Sequence, residues 1–187
     1  MGALLIIDMQ NDFVLPGGPV TVAGALATVP TIRRLLDAFR SQDRPVLHIT
    51  RVYRVDGSDV ERFRREAFLR GPQYLLPGSA GAQIVPELAP LPGETVLIKP
   101  RFSAFMGTPL DLVLRRLGVQ ELVIAGTQYP NCIRATVLDA VCLDYAVTVV
   151  TDACSAQTDA VAQANIADMA AIGVRCLTER EYRALSE

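Results

Sequence analysis

The sequence alternates between short apolar runs and longer segments of helical periodicity. Six runs have the length of a buried strand, at residues 3–7, 45–50, 94–99, 121–125, 146–150 and 174–177. Four segments have apolar residues at helical spacing, at residues 30–42, 109–117, 131–143 and 159–171. Strands that alternate with helices pair in parallel and are covered on both faces. The pattern predicts an α/β fold: a three-layer α/β/α arrangement with a mostly parallel, roughly six-stranded, Rossmann-like sheet, in a single domain over residues 1–187.

One stretch, residues 52–92, interrupts this alternation. It is rich in Arg, Gly and Pro and contains the basic cluster Arg62, Arg64 and Arg65. We expect a long insertion with one short helix near residues 59–69. Long irregular segments in compact domains are usually functional or disordered. The basic cluster is therefore interpreted as an exposed helix face, part of a lid or a subunit contact.

Composition excludes several functional classes. A net charge of −2 and a pI near 5.5 do not give the basic surface that nucleic acids require. Because His48 is the only histidine, no zinc site with two or three His ligands can form. The apolar run at residues 3–7 is too short for a membrane span or a signal peptide. The four cysteines lack the spacing of a disulfide scaffold, so we expect reduced thiols in a cytoplasmic protein with no membrane partner.

Polar residues follow several of the predicted strands, at the edge where open α/β sheets bind ligands. Asp8 follows the first strand, Arg51 the second and Lys99 the third, and the segment 126–132 follows the fourth. No GxGxxG motif follows a strand and no GxxxxGK[ST] motif occurs, which disfavours a nucleotide. The sequence therefore predicts that this edge binds a small molecule.

Cys132 is the strongest candidate for a catalytic nucleophile at this edge. It opens a predicted helix, where the positive end of the helix dipole favours a thiolate, so we expect a lowered pKa. Its base would be a carboxylate, Asp8, because His48 lies inside a strand and is better explained as a core residue. Lys99 would keep Asp8 ionised and stabilise the developing charge. The alternatives are an unreactive buried cysteine and an Asp8–Lys99 ion pair that only stabilises the strand ends.

Three segments together carry a resemblance to a known family. They are Leu5-Ile6-Ile7-Asp8-Met9-Gln10-Asn11-Asp12-Phe13, Lys99-Pro100-Arg101-Phe102-Ser103-Ala104-Phe105 and Gly126-Thr127-Gln128-Tyr129-Pro130-Asn131-Cys132. In this order and over nearly the whole chain, the sequence resembles the isochorismatase-like cysteine hydrolase family. The resemblance implies a catalytic triad of Asp8, Lys99 and Cys132.

The implied mechanism is a two-step hydrolysis. The resemblance implies that the Cys132 thiol attacks a carbonyl and forms a thioester, with Asp8 acting as general base and then as general acid. It also implies a cis peptide bond between Thr127 and Gln128, which aims the backbone N–H groups of Gln128 and Cys132 at the oxyanion. Removing one such donor typically costs about 10²–10³ in kcat.

The sequence departs from the metal-dependent nicotinamidases of that family. Where those enzymes have an Asp-x-His pair, this chain has Val52, Tyr53 and Arg54. We therefore expect no catalytic metal and no cofactor. Because Cys132 is present, a metal-independent amidohydrolase acting on a small amide or ureide is favoured. The alternatives are an isochorismatase-type hydrolysis of a vinyl ether, which does not use the cysteine, and a non-enzymatic binding module on the same fold.

Candidate substrate-binding residues follow the same motifs. Aromatic side chains of Phe13, Phe102, Phe105 and Tyr129 are expected to form the walls of a small pocket, or to be ordinary core. Gln10 and Asn11 are candidates to bind a substrate amide. Candidates for a substrate carboxylate are Arg51, Arg54, Arg101 and Arg134. The 50% apolar share, together with the family resemblance, predicts a homodimer or homotetramer.

Overall fold

Six parallel strands form one sheet. The computed structural model describes residues 1–185. The strands are β1 (Gly2–Ile7), β2 (Val46–Thr50), β3 (Thr95–Ile98), β4 (Glu121–Thr127), β5 (Ala146–Ser155) and β6 (Arg175–Leu177). Their order across the sheet is β3-β2-β1-β4-β5-β6, and every pairing is parallel. The predicted Rossmann-like α/β class is confirmed, and the order reverses direction between β1 and β4.

Helices connect the strands and cover both faces. They are α1 (Asn11–Val14), α2 (Ala25–Ser41), α3 (Arg62–Arg70), α4 (Leu110–Arg116), α5 (Arg134–Cys142), α6 (Asp159–Ala171) and α7 (Glu179–Ala184). A 3₁₀ turn spans Pro86–Leu88, and a π-helical turn, Tyr129–Ile133, leads into α5. No helix within residues 1–185 is both long and apolar enough to cross a membrane.

Several boundaries differ from the sequence prediction. Helix α2 begins at Ala25 rather than at Pro30, so Pro30 lies in its second turn. Strand β5 extends to Ser155 because its polar end continues to pair with the end of β4. The predicted helix over 131–143 is split, since its first turn is π-helical.

The sheet divides the apolar core into two layers. Successive β1 side chains alternate between these layers, as the pleat requires. One layer includes Leu5 and Ile7 and is covered by α4, α5 and α6. The other includes Leu4 and Ile6 and is covered by α2. Each fully buried leucine or isoleucine contributes about 1.5–3 kcal/mol, so β1, buried along its whole length, anchors the fold.

The irregular segment 52–92 has a small core of its own. Tyr53, Val60, Phe68 and Leu75 form a cluster separate from the two main layers. The Asp12 carboxylate, in α1, accepts a hydrogen bond of 2.7 Å from the Leu75 N–H and so ties this segment to the end of β1. The predicted insertion with one short helix is therefore a packed unit beside the carboxyl edge of the sheet.

Candidate active site

Three side chains from three separate segments meet at the carboxyl edge of the sheet. Lys99 follows β3, and its Nζ lies 2.8 Å from Asp8 Oδ2 and 3.2 Å from Cys132 Sγ. Asp8 follows β1 in a left-handed backbone conformation, with φ of 54°. All three residues are buried. The structure thus brings together the residues for which the sequence predicts catalysis, beside the point where the strand order reverses.

The Asp8 carboxylate is incompletely satisfied. Its Oδ1 atom is buried and has no hydrogen-bond partner among residues 1–185. Its Oδ2 atom has only the ion pair with Lys99, which does not have hydrogen-bond geometry. A buried carboxylate oxygen without a donor is costly, so Asp8 retains an acceptor for a proton or a substrate N–H group.

The predicted lowering of the Cys132 pKa is wrong. Burial, reinforced by the negative charge of Asp8, raises the pKa of the Cys132 thiol to about 11, although Lys99 and Arg51 oppose the rise. At neutral pH the resting side chain is therefore a neutral thiol beside a carboxylate that can accept its proton.

The backbone after β4 leaves one N–H donor without a partner among residues 1–185. The Thr127–Gln128 peptide bond is cis. The Gln128 carbonyl accepts from the N–H groups of Asn131 and Ile133, whereas the Gln128 N–H donates to no group in the described part of the chain. At Gly126, φ is +124°, and an added Cβ would collide with the Ile7 carbonyl oxygen. Glycine is thus required where β4 closes against β1.

A small cavity of about 30 Å³ opens onto two triad residues, Asp8 and Cys132. Its wall includes three predicted binding residues, Phe13, Arg51 and Phe102. The other lining residues are Asp8, Val22, Arg64, Thr127, Gln128, Asn131 and Cys132. A cavity of this size holds about one water molecule, so any substrate group that enters it is very small or moves part of the wall.

Three predicted substrate ligands lie elsewhere. Gln10 is fully buried, and its amide bonds the backbone of Arg51 and Ala82, so it is a structural cross-link. Phe105 packs against Tyr145 in the core. Tyr129 is also core, because the π-helical turn directs its ring inward and its hydroxyl donates to the Thr151 carbonyl.

The remaining polar candidates contact other parts of the protein and not the cavity. Asn11 Nδ2 donates to the Ala80 carbonyl, and Arg134 forms an ion pair with Asp168. Arg101 donates to the Asp59 carbonyl, and Arg54 Nε lies 3.6 Å from Asp56 Oδ1. None of these four lines the cavity. Arg64 lines the cavity, although the sequence did not predict it as a binding residue. The only sequence feature that pointed to it is its place in the basic cluster of the insertion.

The residues near the triad do not fit a metal ion. Within residues 1–185, no three His, Cys, Asp or Glu side chains converge to hold one. Val52 and Arg54 stand where nicotinamidases have the Asp and His of the Asp-x-His pair, and between them the Tyr53 hydroxyl donates to Glu61. Two guanidinium groups, of Arg51 and Arg64, line the cavity instead. Because the positive charges of Arg51 and Arg64 repel a further cation, this site does not favour a metal ion.

Comparison with known proteins identifies the family. The family model of the isochorismatase domain matches residues 2–181. The chain belongs to the isochorismatase-like hydrolase family. A crystal structure of an isochorismatase family protein from Desulfovibrio vulgaris is 55% identical, with a TM-score of 0.95, over 98% of this chain and 97% of that one.

Other isochorismatase-family relatives carry functional names. A protein of Arabidopsis thaliana named "probable inactive nicotinamidase" is 44% identical over 96% of this chain and 93% of its own length. The structure of N-carbamoylsarcosine amidase from Thermoplasma acidophilum is 28% identical, with a TM-score of 0.81, over 95% of this chain and 96% of that one. The family is hydrolytic, and its members differ in substrate.

Proposed function

We propose that this protein hydrolyses the C–N bond of a small amide or ureide, with Cys132 as the nucleophile. One observation carries the proposal: the Lys99 ammonium lies 3.2 Å from Cys132 Sγ and 2.8 Å from Asp8 Oδ2, and Cys132 and Asp8 both line a cavity. A nucleophile, a base and a fixed positive charge within contact distance are the parts that covalent catalysis needs.

The first step forms a thioester. As Cys132 Sγ attacks the carbonyl carbon, its proton passes to Asp8, and the carbonyl oxygen becomes an oxyanion. The backbone N–H groups of Gln128 and Cys132 stabilise that oxyanion. Lys99 stabilises the sulfur while it carries negative charge. The C–N bond then breaks, and the leaving nitrogen takes the proton from Asp8 as it departs.

The second step reverses these roles. Asp8, again a carboxylate, takes a proton from water as the water oxygen attacks the thioester carbonyl. The C–S bond breaks, the acid is released, and Cys132 recovers its proton through Asp8. A neutral resting thiol suits this cycle, because the proton that leaves sulfur is the one that the leaving amine needs.

The relatives support a hydrolase and leave the substrate open. A relative named as an amidase of a carbamoyl compound shares the fold over 95% of this chain. The Arabidopsis relative is named a probable inactive nicotinamidase, so its name gives no support for activity on nicotinamide. In this chain all three triad positions hold groups able to react, and Lys99 contacts both of the others, which favours an enzyme over a binding module.

A panel of small amides and ureides, assayed for release of ammonia or acid, tests the proposal. Cys132→Ala should abolish turnover, whereas Cys142→Ala, at an exposed cysteine in the same helical region, should not change it. With a slow substrate, mass spectrometry should detect an acyl adduct on Cys132. Full activity in Cys132→Ala would instead indicate a reaction without the cysteine, such as ether hydrolysis, and would refute the proposal.

A further inference from the structure

The cavity wall holds one rigid guanidinium group. Arg51 Nη1 donates to Glu61 Oε1 and to the Pro100 carbonyl, both at 2.7 Å. The Tyr53 hydroxyl donates to the other Glu61 oxygen at 2.7 Å. The two remaining guanidinium nitrogens of Arg51 donate to no group within residues 1–185. Arg51 therefore presents a fixed positive edge with unused donors.

The second guanidinium group is held much more loosely. Arg64 is on α3. Its Nε atom lies 3.4 Å from Glu61 Oε2, without hydrogen-bond geometry, and its Nη1 atom donates to the Tyr53 hydroxyl at 3.4 Å. Its Nε atom is buried without a hydrogen-bond partner among the residues described. The centre of the Phe102 ring lies 5.9 Å from the guanidinium carbon of Arg51 and 5.4 Å from that of Arg64. Because these contacts are weak, Arg64 would lose little interaction energy on moving from Glu61 to a better hydrogen-bond acceptor.

The charges around the cavity do not balance. Asp8, Arg51 and Arg64 line it, Lys99 contacts Asp8, and Glu61 contacts both arginines. These contacts join three cations to two anions. Because an unpaired charge in a partly buried site is costly, a ligand with one negative charge completes the site and a neutral ligand does not.

We infer that the substrate bears a carboxylate, which Arg64 binds together with the unused edge of Arg51. The inference rests on the proposed function and names its substrate class: the monoamide of a dicarboxylic acid or an N-carbamoyl amino acid. A guanidinium group matches a planar carboxylate with two parallel hydrogen bonds. Arg64 is therefore a residue that determines specificity, and it exchanges Glu61 for the substrate.

A matched pair of substrates tests this selectivity. Succinamate and succinamide share the scissile amide and differ by one charge. The wild-type kcat/KM should favour succinamate by about 10²-fold, the usual scale for a desolvated charge pair. Arg64→Gln should reduce that ratio to within about fivefold of one, and Arg64→Lys should retain part of it, since lysine keeps the charge without the planar fork.

Arg62→Gln is the control, because Arg62 is exposed on the same helix and does not line the cavity. It should keep the wild-type ratio of kcat/KM for succinamate over succinamide. Equal rates for the two substrates in the wild-type protein would overturn the inference and leave the proposed hydrolase in place. A ratio that Arg62→Gln and Arg64→Gln lower equally would also overturn it.

Alkylation provides a readout that needs no turnover. Iodoacetate and iodoacetamide react with a thiol by the same displacement of iodide and differ in charge. The rate ratio of iodoacetate to iodoacetamide should be at least about 10-fold higher at Cys132 than at exposed Cys142 of the same molecule, and Arg64→Gln should remove the difference. That result without any amide hydrolysis would support anion recognition while refuting the proposed function. The same ratio at both cysteines would overturn the inference.

Discussion

Two charge clusters, one buried and one partly buried, lie at opposite ends of β3. The site cluster, formed by Asp8, Lys99 and Cys132, lies after the strand, and the amino-end cluster, formed by Arg40, His48 and Glu94, lies before it. Glu94 has donors on both oxygens, from Arg40 at 2.7 and 2.9 Å and from the Leu91 N–H at 2.8 Å. Asp8 has one ion-pair partner and one oxygen without any among residues 1–185.

The difference separates stabilisation from chemistry. In the amino-end cluster Arg40 and the Leu91 N–H outweigh burial and bring the pKa of Glu94 to about 2, and its carboxylate is fully engaged. In the site cluster burial keeps a thiol neutral beside a carboxylate with spare acceptor capacity, at a cavity. A cluster whose hydrogen bonds are satisfied stabilises the fold, whereas an unsatisfied cluster at a cavity remains available to a substrate.

The largest effect is expected in the site cluster itself. Lys99→Met should lower kcat by about 10³-fold or more and the free energy of unfolding by about 3–5 kcal/mol, because it leaves Asp8 as an unpaired buried charge. The double variant Asp8→Asn, Lys99→Met should recover most of the stability and none of the activity. Urea unfolding and product release measure the two quantities. A single variant as stable as wild type would contradict the assignment of Asp8 as a buried charge.

Alkylation compares the resting thiol with an ordinary one. Because the pKa of Cys132 is raised to about 11, iodoacetamide at pH 7 should modify it about 10²-fold more slowly than it modifies a free cysteine. Peptide mapping over time gives the rate, with exposed Cys142 as the internal reference. Faster modification at Cys132 than at Cys142 would mean that the resting site holds a thiolate.

A break in the amino-end cluster should affect stability alone. Glu94→Gln leaves Arg40 without its countercharge and should lower the free energy of unfolding by about 2–3 kcal/mol, with kcat unchanged in the folded protein. Glu87→Gln, at an exposed position nearby in sequence, is the matched control and should change neither. A fall in kcat for Glu94→Gln at full folding would show that the two clusters are coupled.

The smallest effect is a pH dependence of stability through His48. Burial lowers the pKa of His48, more than Glu94 raises it, so the folded state holds this ring neutral. The unfolded ring titrates near ~6.5. His48 therefore stabilises the fold fully above that pH, and the contribution is lost as the pH falls toward the lowered folded value, by up to about 1.4 kcal/mol per pH unit.

Unfolding of His48→Gln between pH 7 and pH 5 isolates this contribution. The wild-type protein should lose more stability on acidification than the variant does. The opposite sign, a wild-type protein that gains stability relative to the variant, would mean that His48 is protonated and paired with Glu94 in the fold. Agreement would strengthen the contrast with the site cluster, where the titrating group serves the reaction.

The sheet and the triad were accessible from sequence for the same reason. Apolar runs mark buried strands, and in a parallel sheet the residues just after them converge, which located Asp8, Lys99 and Cys132. The short helices α1 and α7 were missed because one or two turns give little periodicity. Helix α7 does carry a local signal, the capping box of Thr178 and Glu181.

The roles of the side chains around the triad were harder to predict from the sequence. Gln10 follows a strand as Asp8 does, but tertiary structure placed backbone groups of Arg51 and Ala82 within its reach. The direction of Tyr129 depends on a π-helical turn that has no pattern in the sequence. Arg64 reaches the cavity only because the small core around Tyr53 and Phe68 packs the insertion beside the sheet.

The central position of β1 has a consequence for synthesis of the chain. This strand is wholly buried and pairs with β2 on one side and with β4 on the other. At about 5–20 residues per second, the ribosome completes β4 roughly 10 s after β1. Throughout that interval the nascent chain carries an apolar strand with at least one open edge. We expect β1 to be the main segment that chaperones must shield until β4 arrives.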